Sequence, residues 1–274
     1  MIEIFLIKPF IALILITISC VLLGIFVLWK KLAYFGDGLS HAILLGFVLG
    51  AIFNSSQITA LIIFAIIFAM MVELISLNKS FSKDTAIAIS SYFCIASAII
   101  LNDLLHKNLN FSSYIFGDII TVGNQEIEAL AIITLIIIFY SFFAFRKILL
   151  INIDSDLAKI DGIKTTWWNL SLIILLALTI ALSVSVVGVF LMTAILILPA
   201  AIAHIFSSSA KQMLLLSLLI GIAVAVFSFK LADSFNLTIS AVMIAVFCII
   251  FILSLTLAKA SSNWALLKKH QKLH

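Results

Sequence analysis

Nine apolar runs, divided by short polar breaks, constrain this chain more than any other feature. They fall at about 10–29, 39–53, 58–76, 85–102, 125–145, 167–187, 189–206, 211–229 and 237–258. A helix rises ~1.5 Å per residue, so ~20 residues cross the ~30 Å apolar layer of a bilayer. Inside lipid the backbone must satisfy its own N–H and C=O groups, which makes each run a helix. The chain is 65% apolar and 10% charged, against ~45–50% and ~25% in soluble domains. That balance excludes an ordinary water-soluble protein, and disorder as well. The expected fold is all-α: one polytopic transmembrane bundle over residues 1–274 of about nine spans. The count becomes eight if the short second run is demoted, or if the sixth and seventh, divided only at Gly188, merge.

The basic residues orient the bundle. With the C-terminus in the cytoplasm, that side receives Lys30, Lys31, Lys79, Lys83, Arg146, Lys147, Lys159, Lys164, Lys211, Lys259, Lys268, Lys269 and Lys272. The opposite side receives only Lys8, Lys107 and Lys230. The positive-inside rule favours this arrangement and, with nine spans, puts the N-terminus outside. The net charge of +4 then describes cytoplasmic loops and implies no acidic or nucleic-acid partner. Leu13–Cys20 has a loose lipoprotein-cleavage pattern, but the apolar run continues to Leu28, so the segment reads as a retained helix. Cys20, Cys94 and Cys248 sit in apolar runs at spacings that suggest packing.

Polar residues within or beside the spans carry the functional argument. In Tyr34-Phe35-Gly36-Asp37-Gly38-Leu39-Ser40-His41-Ala42, a helix beginning near Asp37 places Asp37 and His41 four apart on one face. Such a pair can touch one divalent cation; alternatively, Asp37 caps the helix and His41 is an interfacial polar contact. Gly38, Ala42, Gly46 and Gly50 recur every four residues and permit close approach by another helix. Glu73 lies in the third span, either lining a pathway or snorkelling toward water near Lys79.

The 103–124 loop carries Tyr114-Ile115-Phe116-Gly117-Asp118. Asp118 is either a cation receiver at the outer mouth or a turn residue. Asn124 reads as a helix cap, with Glu126 and Glu128 complementing the helix dipole. In the 146–166 loop, Asp154-Ser155-Asp156-Leu157-Ala158-Lys159-Ile160-Asp161-Gly162 reads as a short helix capped by Ser155 and ended by Gly162. It is either interfacial or a docking element for a soluble partner. Pro199 kinks the seventh span, with Ala200, Ala201 and Ala203 allowing close packing. His204 reads as interfacial, and Lys230 with Asp233 as an exposed ion pair. The chain contains no G-x-x-x-x-G-K-[ST], H-E-x-x-H or G-x-S-x-G, the patterns of a nucleotide-binding loop and of common hydrolase sites.

Together, four stretches carry a resemblance: Tyr34-Phe35-Gly36-Asp37 with Ser40-His41-Ala42; Phe116-Gly117-Asp118; Asp156-Leu157-Ala158 with Asp161-Gly162; and Leu198-Pro199-Ala200-Ala201. In this order, over nearly the whole chain, they resemble the membrane permease of bacterial metal-ion ABC importers, the type serving zinc, manganese and iron, with zinc permeases most similar. The resemblance implies a permease in the bacterial inner membrane that is not itself an enzyme and binds no cofactor. Two copies would form the pathway at their interface. Cytoplasmic ABC ATPase subunits would bind below, and a periplasmic or surface metal-binding protein would deliver the ion above. The 154–162 segment would be the coupling helix, with Asp154, Asp156, Ala158, Asp161 and Gly162 at the ATPase contact. Asp37, His41, Glu73 and Asp118 would be transient ligands of the transported metal. One departure is His204, where many zinc permeases carry Arg. The competing readings are an ATP-independent secondary transporter, which needs a mid-membrane coupling carboxylate, and a membrane metalloenzyme, which needs a third ligand and a general base.

Overall fold

The computed structural model of the protein describes residues 6–76, 82–105 and 117–271, the last twelve as backbone alone. Lys79, Lys107, the Tyr114-Ile115-Phe116 stretch and Lys272 lie outside the described residues. Among these residues ten α-helices follow in order: α1 (Ile7–Trp29), α2 (Ala33–Ile52), α3 (Gln57–Ser76), α4 (Lys83–Leu104), α5 (Asn124–Ile153), α6 (Ser155–Ile160), α7 (Thr165–Val187), α8 (Val189–Phe206), α9 (Ala210–Phe235) and α10 (Ile239–Gln271). A 3-10 turn at Ile119–Thr121 precedes α5. Among the described residues, nine helices, all but α6, are long and apolar enough to cross a membrane.

Helix α1 is the axis of the bundle and packs against α5, α7, α8 and α9. Ala12, Leu13, Ile16, Leu23 and Phe26 along it have no exposed surface. Lipid tails are as apolar as these side chains, so close packing and hydrogen bonds must hold the helices together. At Gly24 a side chain would run into the Leu196 carbonyl of α8. At Gly221 of α9 an added Cβ would lie 2.7 Å from Val21 Cγ2 of α1. The Thr134 hydroxyl of α5 donates to the Leu130 carbonyl at 2.6 Å, so the Ser19 hydroxyl of α1 donates to Thr134 across the interface at 2.8 Å.

Helix α2 packs against α3, α4, α7 and α8, and its small-residue row serves two neighbours. Gly38 faces Ile87 and Ser91 of α4, whereas Gly46 faces Phe64 and Gly50 faces Ala60 of α3. Ala42 is fully buried between them. The row thus wedges α2 into the fork of α3 and α4.

The helices differ from the hydropathy reading at several ends. Helix α2 begins at Ala33, a turn before Asp37; the Gly-Asp-Gly segment lowers hydropathy, yet Leu32 and Phe35 are buried and anchor the first turn. Helix α5 continues through Arg146 and Lys147 to Ile153, because these residues end an apolar window but favour helix. Lys147 rests its ammonium 4.4 Å from the Trp168 ring. The loop expected over 146–166 therefore shrinks to α6 and its flanks. Gly188 keeps α7 and α8 separate, at φ 81° and ψ 163°, a region open essentially to glycine. Helix α8 passes unbroken through the buried Pro199, which has no N–H to offer the Ile195 carbonyl.

Candidate functional site

Asp37 and His41 lie on the second and third turns of α2, His41 ~12 Å along the helix from Ala33. Helix spacing puts them on one face, and the contact of α2 with α4 leaves that face open. Their side chains are 55% and 43% exposed. A groove of about 280 Å³ passes over them, walled on the α4 side by Ile87, Ala88, Ser91 and Tyr92. The Ser91 hydroxyl donates to the Gly38 carbonyl at 2.7 Å. With no side chain at Gly38, this bond fixes the α2 backbone between the two candidate ligands.

His41 Nδ1 lies 2.9 Å from the Asp37 carbonyl and 3.6 Å from Asp37 Oδ1. A carbonyl only accepts, so Nδ1 carries the hydrogen and donates it. In neutral imidazole this leaves the Nε2 lone pair free, the arrangement that prepares histidine for a metal. The pair offers one imidazole nitrogen and one carboxylate. Among the described residues, no three His, Cys, Asp or Glu side chains gather where they could hold a metal ion. The described residues of one chain thus bring two candidate ligands, and no third, to this groove.

The structure does not bring Glu73 and Asp118 to this groove. Glu73 Oε2 lies 3.3 Å from Lys83 Nζ at the start of α4, and this carboxylate is 17% exposed. Its described partner is thus Lys83; Lys79, the lysine nearest in sequence, lies outside the described residues. Asp118 lies near the opposite, lysine-poor end of the bundle, lining a cavity of about 430 Å³ with Asp233, Asn236, Thr238 and Ser240. Its Oδ1 accepts from the Ile120 N–H at 3.3 Å, capping the 3-10 turn. Gly117 has φ 72° and abuts the backbone of Val187 and Gly188, while the Asp118 N–H donates to the Ser185 carbonyl at 3.4 Å. The segment is a strap held against the α7–α8 junction. Asp233 and Lys230, expected to pair, do not.

At the lysine-rich end, α6 is a self-contained helix. Its cap is Asp154, one residue before the expected Ser155: Oδ1 accepts from the N–H groups of Asp156 at 2.8 Å and Leu157 at 3.1 Å. A carboxylate there satisfies two free donors and faces the positive end of the helix dipole. Lys159 Nζ bonds Asp156 Oδ1 at 2.8 Å and holds that carboxyl below its ordinary range. Gly162, at φ 75°, follows Asp161 and closes the helix: its N–H donates to Lys159 and that of Ile163 to Ala158, a Schellman turn. Ala158 is buried, whereas Leu157, Ile160 and nearby Ile153 and Trp167 are exposed. The helix thus carries an uncovered apolar ledge. Similarly, Gly123 rather than Asn124 caps α5, with Glu126 Oε2 accepting from the Gly123 N–H at 2.7 Å. His204 is exposed at the end of α8.

Sequence reading missed Ser91, Lys83 and the fit of Gly117 to Gly188. The adjacent serines Ser90-Ser91 inside the fourth apolar run were the available signal for the first. The other two depend on contacts across the bundle.

Similarity to known proteins covers most of the chain. The model of the ABC 3 transport family matches residues 3–258. The high-affinity zinc uptake system membrane protein ZnuB of Buchnera aphidicola subsp. Baizongia pistaciae is 33% identical over 234 residues, 85% of this chain and 90% of that protein. The manganese import system permease protein ScaB of Streptococcus gordonii is 29% identical over 86% of this chain and 84% of its own. The structure of PsaBC from Streptococcus pneumoniae in complex with Fab superposes with a TM-score of 0.79 at 27% identity, over 92% of this chain and 91% of that one. With the family model spanning nearly its whole length and a relative one-third identical, this chain, a multi-pass membrane protein, belongs to the ABC 3 transport family.

Proposed function

We propose that the chain is the permease subunit of an ATP-binding-cassette importer for a divalent transition metal, with zinc as its cargo. The observation that carries this reading is the Asp37–His41 pair, exposed in the α2–α4 groove with His41 Nδ1 2.9 Å from the Asp37 carbonyl. The ZnuB relative supports zinc. A bare divalent ion entering a low-dielectric interior loses its hydration, so ligands along the route must replace it. One chain supplies one carboxylate and one imidazole. A second copy related by a two-fold axis would double this to two of each, enough for the four-coordinate shell zinc prefers. Such a site must also release its ion, which suits a shared, adjustable interface.

In this scheme a metal-binding protein delivers the ion at the lysine-poor end, taken as outside, where Asp118 and Asp233 line the cavity. Asp37 and His41 receive it deeper, and Glu73 acts only when Lys83 lets it go. ABC ATPase subunits seat on α6, whose apolar ledge and Asp154–Gly162 frame pass their closure to the bundle. The test is zinc uptake by proteoliposomes holding the permease, its ATPase and its binding protein. Asp37→Ala and His41→Ala should each reduce ATP-dependent uptake more than tenfold while insertion stays normal, since outer-shell partners alone alter metal affinity by ~10–100-fold. Normal uptake in both variants would remove the pair from the route. Uptake driven by a proton gradient without the ATPase would instead establish a secondary transporter. Manganese is the second reading, supported by the ScaB relative, and competition between the two ions in the same assay separates them.

A further inference from the structure

We propose that Tyr92 of α4 is a specificity-determining residue of the α2–α4 groove: its phenol oxygen accepts a hydrogen bond from water that a six-coordinate cation keeps while bound. The inference rests on the Asp37–His41 reading above and extends it to how the site tells one divalent ion from another. Tyrosine belongs at the two edges of a membrane, where its ring lies in lipid and its hydroxyl in water. Tyr34, the second residue of α2, fits that pattern. Tyr92 does not. It comes nine residues after Lys83, the first of the 22 in α4, so it lies ~14 Å along the helix, near the middle of the ~30 Å apolar layer. Its side chain is 73% exposed, and a hydroxyl left in hydrocarbon without a partner is costly. Tyr140 of α5 shows the usual remedy, with its hydroxyl 3.0 Å from Ser171 Oγ and 3.3 Å from the Trp168 carbonyl. Among the described residues no such bond holds the Tyr92 hydroxyl.

The groove gives that hydroxyl its place. The neighbouring Ser91 donates to the Gly38 carbonyl at 2.7 Å, which sets Tyr92 level with the segment that carries Asp37 and His41. Ile87, Ala88 and Ile95 line the same wall, so it is otherwise apolar. Outside the pair, the lining side chains with an oxygen are Ser91, whose hydrogen is spent on Gly38, Tyr34 at the end of α2, and Tyr92. The chemistry of two cations then diverges. Two imidazoles and two carboxylates, one of each from each copy, complete the tetrahedral shell of zinc and leave no water on the ion. Manganese favours an octahedral shell with water among its donors, so the same four ligands leave two positions for water. The hydrogens of those waters need acceptors, and an apolar wall offers none. A phenol oxygen at that level, one from each copy, accepts a hydrogen without adding charge. Tyr92 thus lowers the cost of holding a partly hydrated ion, a term that four-coordinate zinc does not draw on.

The experiment uses the full-length permease with its ATPase in lipid nanodiscs, without the binding protein, so that delivery plays no part in the choice of ion. Manganese is titrated as the free ion and followed by loss of its aqueous EPR signal, and zinc is then titrated against it. The Asp37→Ala/His41→Ala variant sets the background. Tyr92→Phe keeps the ring of an exposed side chain and removes only its oxygen. It should weaken manganese binding about tenfold relative to zinc, the worth of one neutral hydrogen bond lost from each copy. An unchanged ratio would overturn the proposal: if both affinities hold, the hydroxyl is idle, and if both fall together, Tyr92 is a packing residue. The same titration keeps the two readings apart. Should the double variant bind both ions as the parent does, the Asp37–His41 site itself is lost, whatever Tyr92→Phe does. Should it bind neither while Tyr92→Phe leaves the ratio unchanged, only the role of Tyr92 falls.

Discussion

Gly38→Ala tests whether the α2–α4 contact, rather than the presence of Asp37 and His41 alone, makes the site. An added Cβ would lie 2.5 Å from Ile87 Cγ2 and 3.7 Å from Ser91 Cβ. Carbon atoms rest at ~3.5–4.0 Å, so the helices must part by about 1 Å or Ile87 must leave its rotamer. Overpacking of this kind costs about 1–3 kcal/mol. Stretching the 2.7 Å Ser91–Gly38 bond adds about 0.5–1.5 kcal/mol. Alanine returns about 0.5–1 kcal/mol of helix propensity, leaving a net loss of about 2 kcal/mol. The ligands sit on the displaced segment, and a misplacement of ~1 Å can lower a rate ~100-fold. Gly38→Ala should therefore reduce zinc uptake at least tenfold with both ligands intact. Ile87→Ala, itself destabilising by about 2–5 kcal/mol, removes the methyl that blocks the new side chain. The double variant should be less impaired than the sum of the singles, with a coupling of about 1–3 kcal/mol, and should regain uptake. Additive losses, or wild-type uptake in Gly38→Ala, would refute the argument that the close contact positions the pair.

The other predictions concern separate parts of the molecule. At Gly162 nothing lies within 4 Å of an added Cβ, so Gly162→Ala should impose only the ~1–2 kcal/mol of a left-handed residue. ATP hydrolysis should then uncouple from uptake while insertion stays normal, and Gly162→Asn should keep the coupling; identical behaviour of the two variants would argue against the turn. The Lys30 ammonium, lowered to about 8 from 10.5 by burial and Lys83, gives a stability that rises with pH between those values, because the unfolded chain holds the proton longer. Lys30→Met should be more stable than the parent at neutral pH and lose that slope, as read by denaturation across pH 7–11. Ala88→Cys in a Cys248→Ser background should cross-link two copies in oxidised membranes, because Ala88 lines the groove while Cys20 and Cys94 are buried; cross-linking no stronger than at Phe139→Cys would place the groove away from a two-fold interface.

The sequence made the spans legible because lipid imposes one rule on every run, and a count of apolar residues reads that rule directly. The breaks between spans were harder. The second helix was expected to begin near Asp37 because hydropathy weighs each residue alone; it starts a turn earlier, at Ala33, where Leu32 and Phe35 are buried. Arg146 and Lys147 looked like an end for the same reason. The spacing of Asp37 and His41 foretold one face, but which face stays uncovered depends on α4. Glu73 could be recognised as expensive within a span, yet its partner was fixed by the return of the chain through Lys83, ten residues on. Asp118 drew attention for having no local explanation, and the structure supplies one in the 3-10 turn it caps.

The exposure of Asp37 and His41 has an energetic meaning. An aspartate facing lipid costs ~2.5–3.5 kcal/mol at the centre of a span, and less near its end, where Asp37 lies. The same residues turned inward would meet the apolar core of α1, α7 and α8, where an unpaired carboxylate is worse still. The fold does neither. It ties the imidazole to the Asp37 carbonyl, braces the backbone through Ser91, and leaves both side chains on an open groove. Lipid is a poor cover for such a groove. A second polar surface, with a cation between the two, removes both penalties together. Under the proposed function, a second copy closing over a cation would cover this polar face and complete the ligand set in one event.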